Sequence, residues 1–152
     1  MSLKEEVEIL RNIPLFAHIE PSKLKLLAFT SERLTYHADQ VLFRQGEPGD
    51  AAYIILRGDA DVIVDGPTGP LTVARLGRNA IVGEIAILCD VPRTATVKAT
   101  SELVTLRISK ELFFRLIMEF PQIGVEMMRV LAERLERTTS QLREAVTRSG
   151  AS

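Results

Sequence analysis

The sequence predicts an α+β chain: an antiparallel β-roll, jelly-roll-like, flanked by N-terminal helices and C-terminal helices. Three observations predict it. Apolar residues recur at helical spacing at both ends of the chain; the middle, from residue 33 to 107, falls into short segments rich in Val, Ile, Thr and Tyr; and Gly, Pro and Asp clusters separate those segments. At 152 residues, 46% of them hydrophobic and 26% charged, the chain has enough material for one domain with a real core and too little for two independent ones.

Residues 3 to 12 and 21 to 30 have helical spacing. In the second segment Pro21-Ser22 opens the helix, Leu24, Leu26, Leu27 and Phe29 supply apolar contact, and Lys23 and Lys25 point outward. Between the two, Ile13-Pro14-Leu15-Phe16 breaks the helix and offers a hydrophobic knob. Strands are expected around 34 to 37, 40 to 44, 51 to 56, 60 to 64, 71 to 75, 95 to 99 and 103 to 107. Gly46-Glu47-Pro48-Gly49-Asp50 and Asp65-Gly66-Pro67-Thr68-Gly69 supply turns. Such regular punctuation is the mark of a roll or sandwich. Ser109 is the expected N-cap of a helix from Lys110 to Glu119, which Phe120-Pro121 ends. A last amphipathic helix follows from about Gln122 to Val146, and Arg148-Ser149-Gly150-Ala151-Ser152 reads as a frayed tail. The chain thus divides into a body over 1–122 and a final helix with its tail over 123–152.

Composition excludes several functions. With a net charge of −1 and a pI near 6.2 there is no overall positive field to draw in nucleic acid or an anionic membrane. A single cysteine, Cys89, excludes an internal disulfide and a CxxC zinc pattern, and reads as a small buried or half-buried hydrophobe. Acids in Met1-Ser2-Leu3-Lys4-Glu5-Glu6 argue against a secretory signal, and no segment reaches membrane-spanning length. These features point to a soluble, cytoplasmic protein. His18 and His37 stand apart from any partner for a metal site, so they read as ordinary surface or capping residues. No nucleophile, base or metal set can be assembled, which argues against an enzyme, including one built on a β-roll of the cupin kind.

One stretch carries chemistry: VGEIAILCDVPRTATV, residues 82 to 97. Gly83 permits close backbone approach, and Glu84-Ile85-Ala86-Ile87-Leu88 can form one helical turn whose free N–H groups attract an anion. Pro92 stiffens the approach to Arg93, whose guanidinium can fork onto two phosphate oxygens, and Ala95 is small enough for backbone to come near the same ligand. Glu84 would repel a bare phosphate but suits a sugar hydroxyl. The set describes a ligand with both groups.

Gly83-Glu84-Ile85-Ala86-Ile87-Leu88 followed by Pro92-Arg93-Thr94-Ala95-Thr96-Val97 resembles the phosphate-binding cassette of the cyclic nucleotide-binding domain family. The resemblance spans roughly residues 10 to 140 and includes the turn at 46–50 and the strand end Tyr53-Ile54-Ile55-Leu56-Arg57-Gly58. It implies that Glu84 accepts from a ribose 2′-OH, that Arg93 pairs with a cyclic phosphate, and that backbone N–H groups near Ile85, Ala86 and Ala95, beside Gly83, complete the cage with the Thr94 hydroxyl. Val62 falls on a strand that lines the base pocket in relatives, though a core role suits a valine equally. The family often places an aromatic before Gly-Glu; here Val82 stands there. The ligand implied is cAMP, with cGMP the alternative.

In the last helix Met128, Leu131, Leu135, Leu142 and Val146 recur at three-, four- and seven-residue steps. The segment RLERTTSQL, 134 to 142, resembles the capping and dimerisation helix of the catabolite activator type, and implies a homodimer in which Thr138 and Thr139 meet the base. A polar residue in such a stripe equally sets helix register. The expected function is a sensor that binds the nucleotide and repositions its C-terminal helix. The alternative is the sensor fragment of a catabolite activator-type transcription regulator; too little follows Val146 for a helix-turn-helix, so this chain alone is not expected to bind nucleic acid.

Overall fold

The computed structural model describes residues 2–150, so Ala151 and Ser152 of the expected tail lie outside the described residues. Helix α1 (Leu3–Arg11) is capped by the Ser2 hydroxyl, which accepts from the Glu5 N–H at 3.2 Å. A 3-10 turn at Pro14–Phe16 follows, with Ile13 and Phe16 buried, and then α2 (Pro21–Thr30). The roll consists of β1 (Glu32–Tyr36), β2 (Val41–Phe43), β3 (Ala51–Arg57), β4 (Ala60–Gly66), β5 (Gly69–Leu76) and β6 (Ile81–Val82), the one-turn helix α3 (Glu84–Leu88), β7 (Thr96–Ala99) and β8 (Leu103–Ser109). Helices α4 (Lys110–Glu119) and α5 (Pro121–Gly150) close the chain.

The strands form two four-stranded sheets, in the orders β1-β8-β3-β6 and β2-β7-β4-β5, with antiparallel pairing throughout. Strand β3 is the divider. Six consecutive residues, Ala51 to Leu56, are buried, and the two-residue period of a strand sends them alternately to two cores. Ala52, Ile54 and Leu56 pack with α1, α2, Phe113 of α4 and Ile123 of α5, whereas Ala51, Tyr53 and Ile55 pack inside the roll with Phe43, Val82 and Val97. The helices at both ends of the sequence therefore meet on one face of one sheet.

The expected helices and seven expected strands are present, and the Ser109 hydroxyl caps α4 by accepting from the Leu112 N–H at 3.2 Å. Four details differ. Strand β6 was not expected, because two residues are too few to display a period. On α2 only Leu24, Leu27 and Ala28 are buried, while Leu26 and Phe29 are exposed, since α2 packs mainly against α1 and turns only one side to it. Arg148 to Gly150 continue α5 rather than fraying: nothing between Gly124 and Gly150 breaks a helix, and Arg148 pairs with Glu144 one turn back. Cys89 is exposed, because it caps the C-terminal end of α3 beyond that helix's buried side.

Candidate functional site

The cassette is held together by its own ends. Gly83 adopts a left-handed conformation, φ 86°, at the N-terminus of α3, and a Cβ there would lie 2.5 Å from Arg93 Nη1, so only glycine fits. Gly49, in the turn before β3, allows the same closeness to Ala86, where a Cβ would come within 2.5 Å of the alanine methyl. Glu84 starts α3 and is 6% exposed, and the first-turn N–H groups of the helix have no partner within it.

Arg93 is 3% exposed and lies among these groups. Its Nη1 donates to the Gly83 carbonyl at 2.9 Å, and Nη2 donates to the Ala51 carbonyl at 2.7 Å and to Asp50 Oδ1 at 3.4 Å. The guanidinium carbon stands 4.0 Å from the centroid of the Phe43 ring. Nε is buried with no partner. Burial lowers the Arg93 pKa from its ordinary value, and Tyr53, Asp50 and Glu47 oppose that by stabilising the cation. The backbone is pinned by the predicted turn: Arg93 N–H donates to the Glu47 carbonyl and Gly46 N–H to the Arg93 carbonyl, each at 2.8 Å.

Asp50 extends this arrangement to the neighbouring strand. Its Oδ2 accepts from Arg107 Nη2 at 3.2 Å, so one carboxylate joins the cassette arginine to β8. Burial, with Tyr53 beside it, pushes the Tyr36 hydroxyl up to about 12.

A cleft of about 580 Å³ opens over the cassette, and Gly83, Glu84, Ile85, Ala86, Arg93, Thr94, Ala95 and Val62 all line it. Val62 is half-buried and also packs against Val97 and the rest of the roll core, so both of its expected roles coexist. A volume of this size suits a small-molecule ligand. The cleft has a basic inner end, at Arg93, and apolar walls from Val62, Leu76, Val130 and Leu131.

Helix α5 forms the outer wall, and here sequence reasoning was incomplete. Arg134 donates from Nη1 to Glu84 Oε1 at 3.2 Å and lines the cleft with Arg137. Leu131 turns toward the cleft instead of joining the outward stripe, which consists of Val125, Met128, Leu135, Leu142 and Val146, all exposed. Thr138 and Thr139 do not line the cleft: its helical wall ends at Arg137, one residue short of them. Thr138 lies one turn beyond Arg134 on the cleft flank, and Thr139 lies one turn beyond Leu135, in phase with the stripe. His18 and His37 are exposed, and among the described residues no three His, Cys, Asp or Glu side chains converge as metal ligands. Among the described residues no helix is long and apolar enough to cross a membrane.

Comparison with known proteins identifies the family and the fold. Residues 33–120 match the family described as the cyclic nucleotide-binding domain. A CRP-like cAMP-activated global transcriptional regulator of Mycobacterium tuberculosis is 30% identical over 142 residues, covering 91% of this chain and 62% of the relative. The chain thus spans about three-fifths of that protein's length. Among solved structures, a cyclic nucleotide-binding-like protein from Brucella abortus superposes with a TM-score of 0.66 at 36% identity, covering 75% of this chain and 98% of that one. The catabolite activator protein of Thermus thermophilus superposes with a TM-score of 0.79 at 27% identity, covering 85% and 61%.

Proposed function

The chain belongs to the cyclic nucleotide-binding domain family, and from that premise we propose that it is a regulatory sensor module for cAMP, with cGMP the alternative, whose ligand repositions α5. The observation that carries this reading is Arg93: a buried cation that lines the cleft and whose Nε has no partner within the protein. An uncompensated buried donor is costly, and an anion in the cleft would compensate it. The carbonyls of Gly83 and Ala51 orient the guanidinium, and Glu84, Ile85 and Ala86, in the first turn of α3, line the same cleft and can supply further donors from their backbone. Glu84 is the acceptor suited to a ribose hydroxyl.

Repositioning follows from competition. Glu84 is engaged by Arg134, so a 2′-OH that donates to Glu84 changes what Arg134 gains by staying. The ligand then favours whichever placement of α5 pairs best with a bound nucleotide, a population shift rather than a push. The exposed stripe supports a homodimer. Val125, Ala132, Thr139 and Val146 recur every seven residues, as do Met128, Leu135 and Leu142 between them, the heptad of a two-helix seam. Thr139 then serves helix register, and Thr138 is the member of the pair on the flank that faces a nucleotide.

A second reading has specific support: the chain spans 62% of a transcriptional regulator, so it is also suited to be the sensor portion of such a protein. A thermal-shift panel of cAMP, cGMP, cyclic dinucleotides and AMP tests the binding function. A ligand that binds only the folded chain raises its melting temperature, and cAMP or cGMP is expected to do so while AMP does not. A flat response to both cyclic mononucleotides at millimolar concentration would remove the proposal.

A further inference from the structure

Arg107 brings a second cation up behind Arg93. On β8 the side chains of Leu106 and Ile108 join the core beneath the helices, so Leu103, Thr105 and Arg107 alternate onto the inner face of the roll, where Leu103 and Thr105 are fully buried. A cation on that face is costly unless it is paired. Register sets Arg107 opposite Glu32 on β1 and opposite Tyr53 on β3. Its guanidinium meets two carboxylates: Nη1 lies 3.7 Å from Glu32 Oε2, and Nη2 donates to Asp50 Oδ2 at 3.2 Å.

Asp50 is thus shared between two arginines, and unequally. Its Oδ1 accepts from Arg93 Nη2 at 3.4 Å, the longest of the contacts that hold that guanidinium; the Ala51 and Gly83 carbonyls accept at 2.7 and 2.9 Å. A terminal guanidinium nitrogen carries two N–H groups, so Ala51 and Asp50 together occupy Nη2. An anion that recruits this nitrogen displaces the weaker partner, Asp50, and competes with its negative charge. A carboxylate free to close on an arginine settles at about 2.7 to 2.9 Å. Asp50 stays further out because Arg107 holds its other oxygen.

Resting on the reading above, in which Arg93 holds a cyclic phosphate, we infer that Arg107 is a positioning residue for ligand binding: it draws Asp50 away from Arg93 and offsets its charge, which leaves the cassette guanidinium available to the phosphate. Arg107 does not line the cleft, so it acts through Asp50 alone. Asp50 in turn is a competitor for Arg93, restrained from β8.

The test is a double-mutant cycle read by calorimetric titration with cAMP and cGMP. Arg107→Gln is expected to bind about fivefold more weakly than wild type, while Arg107→Lys, which keeps the charge, stays within about twofold. In the Asp50→Asn background the same Arg107→Gln change is expected to cost less than about twofold, because no carboxylate remains to close on Arg93. A residue that merely pinned β8 to β1 would cost the same in both backgrounds. Glu32→Gln keeps the inference testable should the Arg107 variants not fold: it commits Arg107 to Asp50, so affinity is expected to hold or rise. Arg107→Gln at wild-type affinity, equal losses with and without Asp50, or weaker binding in Glu32→Gln overturns the inference and leaves the binding function intact. A wild-type chain that binds neither nucleotide removes both.

Discussion

Arg134, midway along the last helix, donates to the buried carboxylate of Glu84 at 3.2 Å, across 50 residues of sequence. Helix α5 and the cassette are therefore joined through the residue proposed above to hold the ribose. Arg134→Ala is expected to leave the cassette able to bind but to uncouple the helix. Hydrogen exchange over residues 121–148 should change on cAMP addition in wild type and change little in the variant. Because Arg134 is half exposed, the variant should lose only about 1 kcal/mol of stability. A ligand-dependent exchange pattern identical to wild type would show that the signal takes another route.

Glu84 is expected to be the ribose contact. Replacing cAMP by 2′-deoxy-cAMP should weaken binding to wild type by about tenfold and should matter little to Glu84→Ala, whose acceptor is already gone. Equal losses in both proteins, measured by competition binding, would place the hydroxyl elsewhere.

The α5 stripe is expected to make a dimer. Leu135 is exposed at the centre of the seam, so Leu135→Glu should shift sedimentation from dimer to monomer at high micromolar concentration. Thr139→Val should tighten the dimer, because it removes a polar group from an otherwise apolar seam. A wild-type chain that sediments as a monomer at that concentration contradicts the seam.

Alkaline stability is set in part by Tyr36. Burial and the neighbouring Tyr53 raise its folded pKa to about 12 from an ordinary value of 10, so the folded state holds the proton more tightly than the unfolded state does. The stabilising effect is complete below pH 10 and is lost as pH rises from 10 through 12. Tyr36→Phe should flatten the fall in melting temperature over that window. An unchanged slope would assign the alkaline loss to other groups.

Much of this was legible in the sequence, for reasons that differ by element. The roll could be read because alternation and turn residues are local signals, and β3 shows why: six buried residues in a row serve two cores. The cassette could be read because Gly83, Glu84 and Arg93 lie within eleven residues, so their chemistry is visible as one pattern. Arg134 could not, since an arginine among Glu133, Glu136 and Arg137 resembles any solvated helix face, and its partner is remote in sequence. The clamp on Arg93 by Phe43, Asp50 and Ala51 depends on tertiary contacts across more than 40 residues. Only its anchor, the turn at 46–50, announced itself.

The account rests on Arg93 as the phosphate ligand, and calorimetric titration of wild type, Arg93→Ala and Arg93→Lys with cAMP and cGMP tests it most directly. Each charged hydrogen bond contributes about 1.5 to 3 kcal/mol, so losing two should weaken binding by about two to four powers of ten, and lysine, which cannot fork, should not restore it. Affinity unaltered in a folded Arg93→Ala chain would contradict the account at its centre.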